Sequence, residues 1–154
     1  MSISIGPALH PAHLIPELKT RKRESVLGEM TRLAGRLGLV REPDVLRSTL
    51  LLRERLGSTA VGRGVAVPHA RSLLVARPAV IVARSCRGVD WEGGEDEPVH
   101  LVLLVLSPAA TRAAEHLARV GRVAAAVRPA RARQKLRETS SPEELGALLE
   151  GTPG

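Results

Sequence analysis

His69 is the residue in this chain whose setting is best arranged for chemistry. It directly follows Pro68, behind a glycine-rich turn and a short Val-Ala-Val strand within LGSTAVGRGVAVPHAR, Leu56 to Arg71. Pro68 locks its own φ and biases Val67 toward an extended shape, so the backbone leading to the imidazole is stiff. A neutral imidazole carries one unprotonated nitrogen and titrates close to cellular pH, so it can attack phosphorus without a separate base. If the other ring nitrogen donates to a backbone carbonyl, the ring is held in one tautomer with the reactive nitrogen outward. Gly57, Gly62 and Gly64 allow tight folding and close approach to a ligand. Backbone N–H groups in such a turn can hold phosphoryl oxygens. The chemistry indicated is reversible capture of a phosphoryl group on an imidazole nitrogen. The alternative is an ordinary strand-end histidine beside a turn.

Two further residues fit that chemistry. Arg53 lies sixteen residues before His69, near the end of an expected helix. Phosphoryl transfer depends on positioning and charge stabilisation, and a guanidinium supplies bidentate donors for it. Taken alone, Arg53 reads as a surface arginine. Glu54 would orient it or be a solvated neighbour, and Arg55 and Arg63 are weaker candidates. His116 lies on the semi-apolar side of a later helix, where it would meet His69 and donate to a bound phosphoryl oxygen. The plainer reading of His116 is a partly buried core-edge histidine. Ser58, Thr59 and Gly64 are secondary phosphoryl-binding candidates, or simply shape the turn. His100 reads as a satisfied interior or sheet-edge histidine, and His10 and His13 as residues of an irregular arm.

Other chemistries fit poorly. HExxH and paired Cys/His spacings are missing, and the lone Cys86 has no evident ligand partners, so neither metal nor disulfide is expected. The sequence has no GxxxxGK[ST] segment, GSTAVGRG does not match the dinucleotide fingerprint, and no Ser/His/Asp geometry can be read. No cofactor is expected.

The elements that must position these residues follow from hydrophobic spacing in a chain of 154 residues, long enough for one self-sufficient core. Residues 1–13 read as an irregular arm, 14–150 as one domain and 151–154 as a tail. A first strand is expected near His13 to Leu18. Val26, Met30, Leu33 and Leu37, joined by Leu27 and Ala34, predict a helix over 22–37 that Gly38 ends. A second helix opens at Pro43 and runs to Leu56, with Val45, Thr49, Leu52 and Leu56 as its expected buried stripe. Strands are expected at 64–67, at 79–84, and at 99–106, where VHLVLLVL suits a central strand buried on both faces. Thr111 to Val127 reads as a helix burying Ala113, Leu117, Val120, Ala124 and Val127, and a short helix follows Pro129. Ser141-Pro142-Glu143-Glu144 reads as a capping box opening a last helix, with Glu144 reaching back to Ser141 and Leu145, Leu148 and Leu149 inward. Helices on both sides of a strand block give an α/β layered domain.

The core is unusual in lacking Phe and Tyr, with Trp91 the only aromatic, so Leu, Val and Ala must fill it. No apolar run of about 18 residues and no apolar leader is seen, which points to the cytoplasm. The net charge is +7, concentrated at Lys19, Arg21, Lys22 and Arg23 and from Arg112 to Arg137, and opposed by Glu92, Glu95, Asp96 and Glu97. Attraction to an acidic protein or to nucleic acid is one reading of that charge. A solvated Arg-rich surface is the favoured one, since stacking aromatics and a recognisable nucleic-acid motif are missing.

LLLRERLGSTAVGRGVAVPHAR resembles the active-site segment of the type 2 (fructose, mannitol and nitrogen-regulatory) enzyme IIA family of the bacterial phosphotransferase system. The resemblance continues through GVDWEGGEDEPVHLVLLVLSP, EHLARVGRVAAAV and LRETSSPEELGALLE, roughly Leu14 to Glu150. It implies a mixed β-sheet between helical layers. It also implies that His69 is the phosphorylated histidine, Arg53 the arginine beside it and His116 the second active-site histidine. The implied donor is a small histidine-containing phosphocarrier protein. The implied acceptor is an enzyme IIB cysteine in transport members, whereas in nitrogen-type members the phosphorylation state is itself the signal. Ala60 stands where the family commonly has glycine, His100 where it is often acidic or polar, and leucines replace the usual late-strand phenylalanines. The competing function is a regulatory module that binds transporters or kinases without transferring phosphate. A weaker one is nucleic-acid binding through residues 112–137.

Overall fold

A computed structural model describes residues 13–91, 97–139 and 141–149. Most of the N-terminal arm with His10, the C-terminal tail, and Glu92, Glu95 and Asp96 of the acidic patch lie outside the described residues. The strands are β1 (Leu14–Ile15), β2 (Ala60–Gly62), β3 (Val65–Ala66), β4 (His69–Ser72), β5 (Ala79–Val89) and β6 (Val99–Pro108). The helices are α1 (Arg23–Arg36), α2 (Pro43–Leu56), α3 (Ala113–Ala126), α4 (Ala130–Glu138) and α5 (Pro142–Leu149).

The strands form one mixed sheet in the order β1-β5-β6-β3-β2, with β4 pairing β6 farther along the edge that β3 occupies. β5 and β6 are antiparallel, whereas β1 runs parallel to β5, and β3 and β4 run parallel to β6. Alternation along β6 explains its unbroken apolar sequence. Val102, Leu104 and Leu106 belong to the cluster under α1 and α2. Leu101, Leu103 and Val105 belong to the cluster built with Val123, Val127, Leu136, Leu145 and Leu149 of the C-terminal helices and the turn after α3. The sheet is therefore a middle layer with helices on both faces, and aliphatic side chains fill both interfaces.

Most elements lie where spacing put them, and the differences have physical causes. α1 ends in a Schellman arrangement: Leu39 N–H donates to Ala34 O, Gly38 N–H donates to Gly35 O, and Gly38 has φ +74°. β5 runs past Arg84 to Val89 across a register shift. Gly88, at φ +91°, makes that irregularity possible, because a Cβ there would sit 2.6 Å from Pro98 Cβ. The expected stripe of α2 is corrected. Val45, Leu52 and Leu56 are 52, 59 and 82% exposed and Thr49 is also exposed, while Leu46, Leu50 and Glu54 point inward. The buried stripe ends in a carboxylate, so hydrophobicity alone selects the wrong face. α3 is shifted for the same reason: His116, Arg119 and Val123 are inside, Val120 and Ala124 are half-buried, and Ala113 and Leu117 are exposed.

The capping box forms by a detour. Glu144 N–H donates to Ser141 Oγ as expected. The Glu144 carboxylate, however, accepts from Thr139 Oγ1, and that oxygen takes the Ser141 N–H.

Replacing Gly88 by alanine is expected to cost about 2 kcal/mol, from the clash with Pro98 and the left-handed backbone together. A urea melt of Gly88→Ala superimposing on the parent's would contradict this account of the bulge.

Candidate active site

A string of hydrogen bonds runs from the interior to His69. Glu54 on α2 is 4% exposed. Its carboxylate accepts from the Thr59 amide at 3.0 Å, from the Thr59 hydroxyl, and from Trp91 Nε1 at 3.2 Å, with Arg23 Nη1 3.9 Å away. The Thr59 carbonyl accepts from Val67 N–H at 3.0 Å. The Val67 carbonyl in turn accepts from His69 Nδ1 at 3.0 Å. Pro68, with no N–H to offer the ladder, separates β3 from β4, and its carbonyl accepts from Val105 N–H at 3.0 Å. A carbonyl oxygen can only accept, so the His69 proton is on Nδ1 and the lone pair is on Nε2. His69 is half-buried, as an attacking group that must also be reached would be.

His116 arrives from the other side. Its ring centroid lies 5.5 Å from that of His69, with the planes tilted by 48°. Its Nδ1 is 2.7 Å from Ser107 Oγ at the end of β6, and Arg119 Nη1 donates to the same oxygen at 2.7 Å. Ser107 is fully buried and Arg119 is a donor only, so the serine proton goes to His116 Nδ1. His116 then carries its proton on Nε2. The two imidazoles are tautomeric complements, one offering a lone pair at Nε2 and the other an N–H at Nε2. Burial lowers the His116 pKa to about 4, with smaller contributions from neighbouring His69, which disfavours a second protonated ring, and from the charges of Arg119 and Arg71. The ring is therefore neutral near pH 7.

The remaining candidates separate. Arg53 is exposed, and its Nη1 donates to the Gly57 carbonyl at 2.7 Å, which braces the turn after α2. Glu54 neither orients Arg53 nor faces solvent; it holds the loop through Thr59. The Thr59 hydroxyl is committed to Glu54, whereas Ser58 is exposed and its Oγ accepts from the Ala60 amide. Gly64 pairs at the opposite end of β6, its carbonyl accepting from the His100 and Leu101 amides. It is five residues from His69 along extended chain, roughly 16 Å. Arg55 and Arg63 are exposed. His100 is half-buried and donates from Nδ1 to the Ser85 carbonyl at 2.8 Å, and His13 is buried at the entry to β1.

Sequence reading missed Arg71, Ser107 and Arg119. Arg71 Nη1 donates to the carbonyls of Ala109 and Thr111, fastening the loop that launches α3. Arg119 stands three residues after His116, a spacing that puts both on one helical face, and that was the available signal. Among the described residues no group of three or more His, Cys, Asp or Glu side chains could hold a metal ion, and no helix is long and apolar enough to cross a membrane.

A mixed sheet between two helical layers thus brings two imidazoles of complementary tautomer together. Comparison with known proteins gives the family. Residues 8–151 match the profile described as "Phosphoenolpyruvate-dependent sugar phosphotransferase system, EIIA 2". The chain belongs to that enzyme IIA family, whose members are phosphocarrier components of the phosphotransferase system. It is 34% identical over 139 residues to the nitrogen regulatory protein of Bradyrhizobium diazoefficiens, covering 90% of each. It is 31% identical over 130 residues to the fructose-specific EIIABC component of Bacillus subtilis, which covers 83% of this chain but only 20% of that longer protein. The crystal structure of the nitrogen regulatory protein IIA-Ntr from Neisseria meningitidis superimposes with a TM-score of 0.83 at 28% identity, covering 94% of this chain and 98% of that one.

The His116 environment makes stability depend on pH. Above about pH 6.5 the folded and unfolded states both hold this ring neutral; from there toward pH 4 the unfolded chain takes up a proton that the folded protein refuses. Stability is expected to fall across that window, by less than the full shift would give because solvent screens the site. In His116→Gln the decline should be shallower. Parallel curves for the two proteins in urea melts at several pH values would contradict the assigned environment.

Proposed function

We propose that His69 Nε2 accepts a phosphoryl group from a histidine-containing phosphocarrier protein. It then passes the group to an enzyme IIB component or holds it as a regulatory signal. The observation that carries this reading is the bond from His69 Nδ1 to the Val67 carbonyl, which leaves Nε2 unprotonated. In the transfer, the Nε2 lone pair forms the new N–P bond as the N–P bond of the donor breaks. The donor imidazole leaves neutral, and His69 keeps its Nδ1 proton. The reaction needs no base, which agrees with a site built from donors and cations rather than carboxylates.

His116 acts as a neutral donor. Its Nε2–H stabilises a phosphoryl oxygen, and Ser107 and Arg119 position it by fixing the tautomer. Arg71 and Arg119 are cations whose charge reaches His116, and they share with Arg53 the stabilisation of the phosphoryl group. Arg53, braced on Gly57, contributes at the rim. Leu73 and Leu117, 79 and 59% exposed, follow β4 and His116 respectively. They supply apolar contact for the phosphocarrier, with Arg71 and Arg112 around them to attract an acidic surface.

Incubation with the general phosphotransferase components and phosphoenolpyruvate should place one acid-labile phosphoryl group on the parent protein and none on His69→Ala. Ser107→Ala should still be modified, roughly tenfold more slowly, because His116 loses the bond that fixes its tautomer. Its His116 ring should then show mixed tautomers by nitrogen-15 NMR. A folded parent that stays unmodified would sink the transfer reading in favour of a purely binding regulator. An unchanged rate in Ser107→Ala would remove the positioning role.

A further inference from the structure

A second cationic site lies at the other end of β6, away from the imidazole pair. A cavity of about 430 Å³ opens between that end of the sheet and α4. Four guanidiniums line it: Arg63, Arg84, Arg133 and Arg137. Two carboxylates, Glu17 and Glu138, share the lining and cancel part of its charge, leaving the four arginines in excess. Glu17 accepts from the Cys86 amide and Glu138 from Gln134 Nε2. Among the described residues neither carboxylate forms an ion pair with any of the four arginines.

The arrangement is built rather than incidental. Arg84 is fixed by Nε on the Pro16 carbonyl and by Nη1 on the carbonyls of Leu136 and Thr139, so its remaining amino group is presented without further support from the chain. Arg133 is folded back onto the Val127 and Arg128 carbonyls. Arg137 sits one helical turn beyond Arg133, a like-charge spacing that α4 carries at a cost. Arg63 occupies the tip of the β2–β3 hairpin at φ +58°, followed by Gly64 at φ +78°. Two successive left-handed residues make a tight turn whose first position ordinarily takes Asn, Asp or Gly. An arginine there adds a fourth like charge to the lining, and a bound anion relieves that repulsion.

We infer that this cavity binds a small organic anion carrying two phosphate groups. Its volume suits a small molecule and is too confined for a duplex. The lining contains no aromatic side chain on which a nucleobase could stack. Four guanidiniums in one lining suit more than one phosphate group, and Gln134 and His100 of the same lining suit the hydroxyls of a sugar. The site is independent of phosphoryl transfer at His69.

The full-length chain should be titrated with fructose 1,6-bisphosphate as probe, followed by calorimetry and by amide NMR shifts. Saturable one-to-one binding is expected, with shifts concentrated at Arg63, Arg84, His100 and Arg137. The double variant Arg63→Ala, Arg137→Ala changes exposed side chains and should keep the parent's fold by circular dichroism while binding roughly tenfold more weakly. His69→Ala should bind as the parent does. Failure to saturate at about 10 mM, unchanged affinity in the double variant, or loss of binding in His69→Ala would each overturn the assignment.

Discussion

The site depends on one hydrogen bond, from His69 Nδ1 to the carbonyl of Val67. It decides which imidazole nitrogen keeps the lone pair on which the proposed phosphoryl transfer relies, and the local sequence is arranged around it. Pro68 removes a ladder donor and splits the edge beside β6 into β3 and β4. The Val67 carbonyl meets the ring, while the Val67 amide is held by Thr59, and Thr59 by the buried carboxylate of Glu54. The half-buried imidazole is thereby fixed to the interior through three residues, Val67, Thr59 and Glu54. A buried carboxylate is costly unless it is richly bonded. Glu54 meets that condition with the Thr59 amide and hydroxyl, Trp91 and Arg23.

The second imidazole is organised by the opposite logic. Its Nδ1 receives a proton from Ser107 instead of giving one to a carbonyl, and Arg119 fixes the direction by donating to the same oxygen. Burial then keeps the ring neutral, with its pKa lowered to about 4. A protonated His116 would attract phosphate more strongly. A neutral one holds its hydrogen-bonding role over a wide pH range and leaves positive charge to arginines that cannot deprotonate. β6 joins the two halves, since Val105 pairs with His69 and Ser107 carries His116.

Much of this was legible in the sequence. The doubly buried β6 follows from VHLVLLVL, α1 from its spacing and Gly38, and the proposed nucleophile from Pro-His after a glycine turn. The faces of α2 and α3 were misread because Glu54, His116 and Arg119 point inward, and periodicity counts only apolar residues. Their burial rests on partners distant in sequence: Trp91 is 37 residues from Glu54, and Ser107 is on another element from Arg119. β4 escaped notice because its four residues, HARS, look like loop and are ordered only by pairing with the end of β6. The resemblance to the enzyme IIA family singled out Arg53, yet the arginines bonded at the heart of the site, Arg71 and Arg119, carry no local motif.

The tautomer assignment is tested most directly by long-range proton–nitrogen correlation NMR of the imidazoles at neutral pH, before and after phosphorylation. The account predicts a proton on Nδ1 of His69 and on Nε2 of His116 in the free protein, and a phosphorus-coupled Nε2 of His69 in the modified one. A His69 ring protonated at Nε2, or an adduct on its Nδ1, would contradict it.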